Sequence, residues 1–232
     1  MLAWLRSNDP FPPVKSAAAY PNGLLCAGGD LSPWRLIEAY RRGIFPWFAK
    51  DEPVLWWSPD PRTVLYPGEF KISRSLRKIL RRGAFEVQID TAFSAVIAAC
   101  AAPRRDQPGT WISPRMIDAY ERLQRLGAAH SVETWVDGQL VGGLYGVAVG
   151  SMFYGESMFS HASDASKIAL AHLVRIAQKR RIGLIDCQMS TPHLLSLGAR
   201  TIPRSEFIAI VAELANRNEA PEPWLAGERL EF

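Results

Sequence analysis

Between Ser151 and Ser190 the chain reads SMFYGESMFS, HASDASKIALAHLVRIAQKRR and IGLIDCQMS, and no other stretch restricts the fold as much. The first run is aromatic and apolar but carries one acid, Glu156. The second opens on Ser163 and Asp164, good helix N-caps, and sets Ile168, Leu173 and Ile176 on one helical face. It closes on Lys179, Arg180 and Arg181, cations suited to a helix C-terminus. The third puts Asp186 and Gln188 two residues apart in an apolar strand, hence on one face. Strand, helix, strand in this order predicts two parallel strands of one sheet, joined by a right-handed crossover. If those strands are neighbours, Glu156, Asp186 and Gln188 converge. An acid buried in a strand is costly, so the convergence is either a shared active site or a core network that satisfies itself.

At 232 residues, 48% hydrophobic and 22% charged, the chain has room for one large domain or for a small one and a medium one. No apolar run approaches the roughly 20 residues of a transmembrane helix. The N-terminus, MLAWLRSNDPFPPVK, lacks a signal peptide's apolar centre and cleavage site. Cys26, Cys100 and Cys187 are scattered and read as free thiols of a reducing compartment, so a cytoplasmic protein is expected. His130, His161, His172 and His193 form no ligand motif, and no metal is expected. The net charge of +4 is unevenly spread: Lys71, Arg74, Arg77, Lys78, Arg81 and Arg82 crowd one segment. Such a cluster is either a solvated helix face or a track for phosphates.

In chain order, residues 1–61 are dense in Pro, Gly and Trp. A turn is expected at Asn22-Gly23, tight-turn chemistry at Gly28-Gly29, and a helix from Pro33, capped by Asp30 or Ser32 and ended by Gly43. Trp47, Trp56 and Trp57, set among prolines, form either a small satellite core or a stacking surface for a nucleobase. From Arg62 the texture changes. TVLYPGEF predicts a strand, and ISRSLRKILRRG a basic amphipathic helix with Ile72, Leu76, Ile79 and Leu80 inward. FEVQID predicts a strand, TAFSAVIAACA a helix, PRRDQPGTWIS a polar loop and SPRMIDAYERLQRLG a capped helix. SVETWVDGQLVGGLYGVAVG predicts a hairpin turning on Asp137-Gly138. SEFIAIVAELANRN closes the chain as a helix, and PEPWLAGERLEF is irregular. The order of elements from Arg62 suggests an α+β chain with an acetyltransferase-like (GNAT-type) mixed sheet. Gln124-Arg125-Leu126-Gly127-Ala128-Ala129 has the letters of a coenzyme A pyrophosphate loop, but it closes a helix and precedes a strand, the wrong context for that role.

The segments PNGLLCAGGDLSP, RRGIFPWF, LWWSPDPR, ISRSLRK, GTWIS, VGGLYGVA, GESMFS, ASK and IDCQ together resemble the bacterial leucyl/phenylalanyl-tRNA–protein transferases, from about Pro21 to Arg204. The resemblance implies two domains, a small N-terminal one at 1–61 and an acetyltransferase-like catalytic one at 62–232. It also implies transfer of Leu or Phe, with Met also admissible, from aminoacyl-tRNA to the α-amine of proteins beginning with Arg or Lys. That addition marks them for degradation through the N-degron pathway. No cofactor is implied, because aminoacyl-tRNA is already an activated ester. By the same resemblance Gln188 binds the reacting amine and carbonyl, Asp186 orients and polarises Gln188, and Glu156 sits beside the ester. Trp47 and Trp111 correspond to tryptophans that stack on the 3′ adenosine. Leu144, Phe153, Met158, Leu170 and Ile185 are the candidates for the aminoacyl pocket. The basic segment Lys71, Arg74, Arg77, Lys78, Arg81 and Arg82 then becomes a tRNA contact that reads charge and shape. The implied partners are aminoacyl-tRNA and an acceptor protein or peptide, with no membrane, and the chain is expected to be a monomer. The rival readings are an acyl-coenzyme A N-acyltransferase, a non-catalytic RNA-binding module, and a tRNA-dependent peptidoglycan aminoacyltransferase.

Overall fold

The computed structural model describes residues 2–103, 110–217 and 224–227. The Pro-, Gly- and Trp-rich leader folds into a sheet rather than a set of turns. Its strands are β1 (Ala3–Leu5), β2 (Leu24–Gly28), β3 (Phe45–Pro46) and β4 (Leu55–Trp57), in the order β1-β2-β4-β3, with helix α1 (Pro33–Tyr40) between β2 and β3. Strands this short leave no run of alternation to read, which is why the sequence signals only their turns. The expected satellite core is not a separate one: of Trp47, Trp56 and Trp57 only Trp56 is buried, and its cluster runs on into the larger sheet. Trp56 is fully buried edge-on to Phe11, and its indole N–H donates to Gly28 O at 2.9 Å. Ser32 precedes α1 but its side chain bonds no helix amide; the Asp30 carboxylate accepts the Ser32 N–H instead.

A second sheet begins at Arg62. It comprises β5 (Arg62–Leu65), β6 (Glu86–Ile89), β7 (Ala129–Val136), β8 (Gln139–Val149), β9 (Met152–Ser160), β10 (Leu184–Gln188) and β11 (Arg200–Ile202), in the order β11-β5-β10-β9-β8-β7-β6. Only β9 and β10 run parallel, as the strand–helix–strand pattern requires; every other neighbouring pair is antiparallel. The β7–β8 hairpin turns on Asp137 (φ 49°) and Gly138 (φ 71°), both left-handed, as a two-residue Asp-Gly hairpin demands.

The remaining helices are α2 (Arg74–Arg82), α3 (Phe93–Ala101), α4 (Pro114–Arg125), α5 (Ala165–Lys179), α6 (Pro192–Ser196) and α7 (Arg204–Leu214). Alternation along the strands sends side chains to two cores. Leu65, Phe153 and Ile185 pack with Ile168, Leu170 and Leu173 of α5, and α2 adds Leu76 and Leu80. Their neighbours Val64, Tyr154 and Leu184 point the other way, into a core shared with α3, α4, α7 and the small sheet. Tyr40 and Trp56 belong to that same core, so the two sheets are joined by buried apolar contact.

Several local expectations change. Helix α5 starts at Ala165, and Asp164 lies left-handed (φ 63°) with its carboxylate on Lys167 rather than on a helix amide. Neither Ser163 nor Asp164 therefore caps it through its side chain. Ile72 precedes α2 instead of belonging to its stripe, and the strand at TVLYPGEF is only the four residues of β5. Residues 191–203 contain α6 and β11, both too short to carry a period. The Gln124–Ala129 run ends α4 at Arg125, with Gly127 left-handed (φ 71°), confirming a helix terminus rather than a phosphate loop. Part of the expected 103–113 loop, residues 104–109, and most of the tail lie outside the described residues.

Candidate active site

The two strands that run parallel are also each broken by a bulge, and the bulges set the site. In β9, Tyr145 faces Ser157 and Gly146 faces Gly155, so Glu156 is the extra residue. In β10, Asp186 faces Val64 and Gln188 faces Thr63, so one residue is again extra. A bulge re-aims side chains and spreads the strands around it. Gln188 completes this one in the left-handed region (φ 57°), with Met189 N–H donating to Cys187 O at 2.7 Å around it. A residue with a β-carbon held there stores of order 1–3 kcal/mol of strain, which the surroundings must hold in place.

Asp186 does that holding. Its carboxylate is fully buried and accepts both arms of the Arg62 guanidinium, at 2.8 and 2.7 Å. Its Oδ1 also accepts the Gln188 backbone N–H at 3.0 Å. Arg62 is equally buried, stacked between the Phe45 and Phe207 rings at 4.8 and 4.5 Å, and it donates to Gly43 O. Asp186 thus meets the main chain of Gln188 and not its side-chain amide.

That amide turns to Glu156, Gln188 Nε2 donating to Oε1 at 3.2 Å. The same Oε1 accepts the Tyr40 hydroxyl at 2.8 Å, and Oε2 accepts the Tyr120 hydroxyl at 2.8 Å. The two hydroxyls are themselves 2.6 Å apart. These three oxygen–oxygen contacts need three protons, and the two tyrosines carry one each. A protonated Glu156 supplies the third and closes the ring. Burial pushes the Glu156 carboxyl up to about 7, with the tyrosine hydrogen bonds pulling it down, Asp186 raising it and Arg62 lowering it. Both tyrosines are held well above their ordinary value by burial and by Glu156, so they stay neutral donors.

A cavity of ≈ 460 Å³ opens over this network. Its apolar part is walled by Leu144, Met158, Leu170, Leu173 and Ile185, from the α5 side of the sheet. Glu156 and Gln188 line its middle, and Phe45, Trp47 and Trp111 its other side. Trp47 is 37% exposed, and Trp57 braces it edge-on at 5.4 Å while donating to Trp47 O. Of the five apolar pocket candidates, Phe153 is the exception. It lies behind the wall, paired with Ile185, stacked at 5.7 Å on Trp224, and so close under Gly146 that a β-carbon there would sit 2.5 Å from its ring. Lys71, Arg74, Arg77, Lys78, Arg81 and Arg82 are all exposed on and just before α2, and none lines the cavity.

Tyr40 and Tyr120 carry no sequence signal of a site role. An aromatic on an amphipathic helix reads as core, which both tyrosines also are. Arg62 carried a usable signal, a cation leading the apolar run Thr63-Val64-Leu65. Residues 188–194 joined the wall unannounced, through Met189, Thr191, His193 and Leu194.

A family model described as leucyl/phenylalanyl-tRNA protein transferase matches residues 64–212, and the model for that family's N-terminal domain matches residues 29–60. The chain belongs to this family. A leucyl/phenylalanyl-tRNA–protein transferase of Nitrosospira multiformis is 60% identical over 224 residues, 97% of either chain. One from Azoarcus sp. is 57% identical over 232 residues, 100% of this chain and 99% of that one. Among solved structures, a GCN5-related N-acetyltransferase from Kribbella flavida overlays with a TM-score of 0.37 at 12% identity, covering 70% of this chain and 57% of that one. As a leucyl/phenylalanyl-tRNA–protein transferase the chain is an aminoacyltransferase, moving an aminoacyl group from tRNA to protein. Among the described residues no helix is long and apolar enough to cross a membrane, and no group of three or more His, Cys, Asp or Glu could hold a metal ion.

Proposed function

We propose that this transferase carries Leu or Phe, with Met also admissible, from the 3′ ester of its tRNA to the α-amine of proteins beginning with Arg or Lys. The product enters an N-degron pathway in the cytoplasm, and the enzyme works as a monomer. The observation that carries this reading is the cavity, apolar where a side chain would lodge and polar where an ester and an amine would meet. An unbranched-at-β apolar side chain fits the wall of Leu144, Met158, Leu170 and Ile185. Such a wall discriminates between similar side chains by only about 1–3 kcal/mol, so it accepts more than one donor.

In the reaction the acceptor nitrogen attacks the ester carbonyl carbon. The C–N bond forms, the bond from that carbon to the 3′ oxygen breaks, and one proton passes from nitrogen to the departing 3′ oxygen. The reaction runs downhill, and correct alignment supplies roughly 7–11 kcal/mol of barrier reduction. Gln188, fixed from behind by Asp186 and Arg62, holds the amine and the carbonyl. Glu156, poised near neutrality in its ring with Tyr40 and Tyr120, takes the amine's proton when ionised. Trp47 and Trp111 stack on the terminal adenosine, each stacked base contributing roughly 1–3 kcal/mol. The cations from Lys71 to Arg82 lie along the phosphates of the acceptor stem.

The test is transfer of labelled leucine from Leu-tRNA to two peptides, one starting with Arg and one with acetylated Arg. Transfer to the free amine alone is expected. Transfer to neither, or to both, overturns the assignment of the acceptor. In parallel, Arg77→Ala with Lys78→Ala is expected to weaken tRNA binding and to flatten its salt dependence; an unchanged salt slope removes α2 from the tRNA path.

A further inference from the structure

Around Glu156 the buried polar groups are bonded to one another, with one exception. Asp186 is taken by Arg62 and the Gln188 N–H, and the hydroxyls of Tyr40 and Tyr120 are taken by Glu156. Tyr145, on β8 at the bulge opposite Glu156, also lines the cavity and is 0% exposed. Of the buried side-chain polar atoms without a partner among the described residues, only Tyr145 Oη belongs to a residue of this wall. Its ring is fixed, edge-on to Tyr120 at 5.5 Å and to Phe93 at 5.9 Å. Burial first, then the negative charge of Glu156 and the neighbouring Cys100, holds the hydroxyl well above its ordinary pKa, so it carries its proton at any working pH. A buried hydroxyl left unbonded lowers stability, and phenylalanine would fill the same space without that loss.

We propose that the Tyr145 hydroxyl is kept free for the donor substrate, donating a hydrogen bond to an oxygen at the aminoacyl-adenosine end of the tRNA. This rests on the functional reading above. Two oxygens fit that chemistry, the ester carbonyl and the ribose 2′-hydroxyl, and both accept from a neutral phenol. The carbonyl gains negative charge as the amine adds, so a bond there strengthens in the transition state. The 2′-hydroxyl stays neutral, so a bond there serves binding alone.

The decisive variant is Tyr145→Phe, which removes the oxygen and keeps both ring contacts. Its Tm should equal or exceed that of the parent. A fall in Tm would mean that the hydroxyl has a partner in the free protein, and would overturn the proposal. Transfer to an Arg-starting peptide should drop by roughly 10-fold in kcat/KM, the scale of one lost hydrogen bond. The assay is repeated with Leu-tRNA ending in 2′-deoxyadenosine. If Tyr145 bonds the carbonyl, the variant loses kcat equally on both tRNAs. If it bonds the 2′-hydroxyl, the parent loses that factor on the deoxy tRNA and Tyr145→Phe loses nothing further. Parental kinetics of Tyr145→Phe on both tRNAs would overturn the role while leaving the transferase reading intact. Failure of the parent itself to transfer would sink that reading instead.

Discussion

Glu156 on β9 and Glu133 on β7 look alike by most measures. Both are buried in one sheet, both are pushed up to about 7 chiefly by burial, and each carboxyl has three hydrogen-bonding partners. Glu133 takes Ser131 Oγ and the Ala92 N–H on Oε1, and Thr91 Oγ1 on Oε2. Ala92 heads α3 and has no side chain to cap it, so Glu133 supplies the cap from the sheet. Its three donors bring three protons to three bonds, and the network is complete without a proton from the carboxyl. The network of Glu156 is one proton short unless the carboxyl itself is protonated, and it opens onto the cavity. A buried acid in an apolar strand therefore marks a polar network but not a catalytic one. The proton count and the access to a cavity separate the two.

A third carboxylate, buried at least as deeply as the two glutamates, is held differently. Asp186 is ion-paired where the two glutamates are not. Arg62→Met strands that charge and should cost about 3–5 kcal/mol in urea denaturation. Adding Asp186→Leu should recover most of the loss, because an apolar pair of similar volume replaces the ion pair. Turnover should stay low in the double variant, since the strained Gln188 N–H has lost its acceptor. Recovery of stability and turnover together would show that Asp186 serves the fold alone.

Next in size is the contrast in turnover between the two glutamates. Glu156→Gln keeps the acceptor at Oε1 and offers an N–H to Tyr120, which mimics the protonated ring and cannot ionise. It should fold as well as the parent and lose roughly 100-fold in kcat, the scale of one general base. In Glu133→Gln the new amide donates to Thr91 and the capping oxygen remains, so kcat should stay within about two-fold, no chemistry depending on it. Comparable losses in both variants would erase the distinction drawn from the proton count.

Much of this was legible in the sequence, for reasons that differ by region. The crossover from β9 through α5 to β10 could be read because β9 is long and aromatic, β10 is an apolar run, and α5 has fifteen residues of helical period. That was enough to bring Glu156 and Gln188 into contact. The small sheet was not legible, because β3 has two residues and β4 three, held by contacts made across the fold. The bulges escaped for a related reason. Period-two reasoning puts Asp186 and Gln188 on one face, whereas the left-handed Gln188 makes the amide reach Glu156 and leaves Asp186 to hold the backbone. Phe153 failed as a wall residue because strand position sets the face but not the depth: Gly146 lets its ring tuck behind the cavity.

The smallest effect is on stability against pH, and it tests whether the two glutamates are as similar as their environments suggest. An acid whose folded pKa is raised holds its proton longer in the folded state than in the unfolded one. Its favourable contribution is complete below the unfolded value of 4.5 and is lost as pH rises through about 7. Both glutamates act in this window, so Tm should fall between about pH 5 and pH 7 and level off above, within the span of the two shifts. Glu133→Gln should remove roughly half of that slope, and Glu156→Gln a similar share, because the two networks share no residue. The double variant should lose this fall and keep only the opposite, rising trend of His172 and His193, whose imidazoles burial holds below their ordinary value. If Glu156→Gln alone flattens it, Glu133 is ionised throughout, and its three donors outweigh its burial. A complete network would then hold the charge that the incomplete one releases.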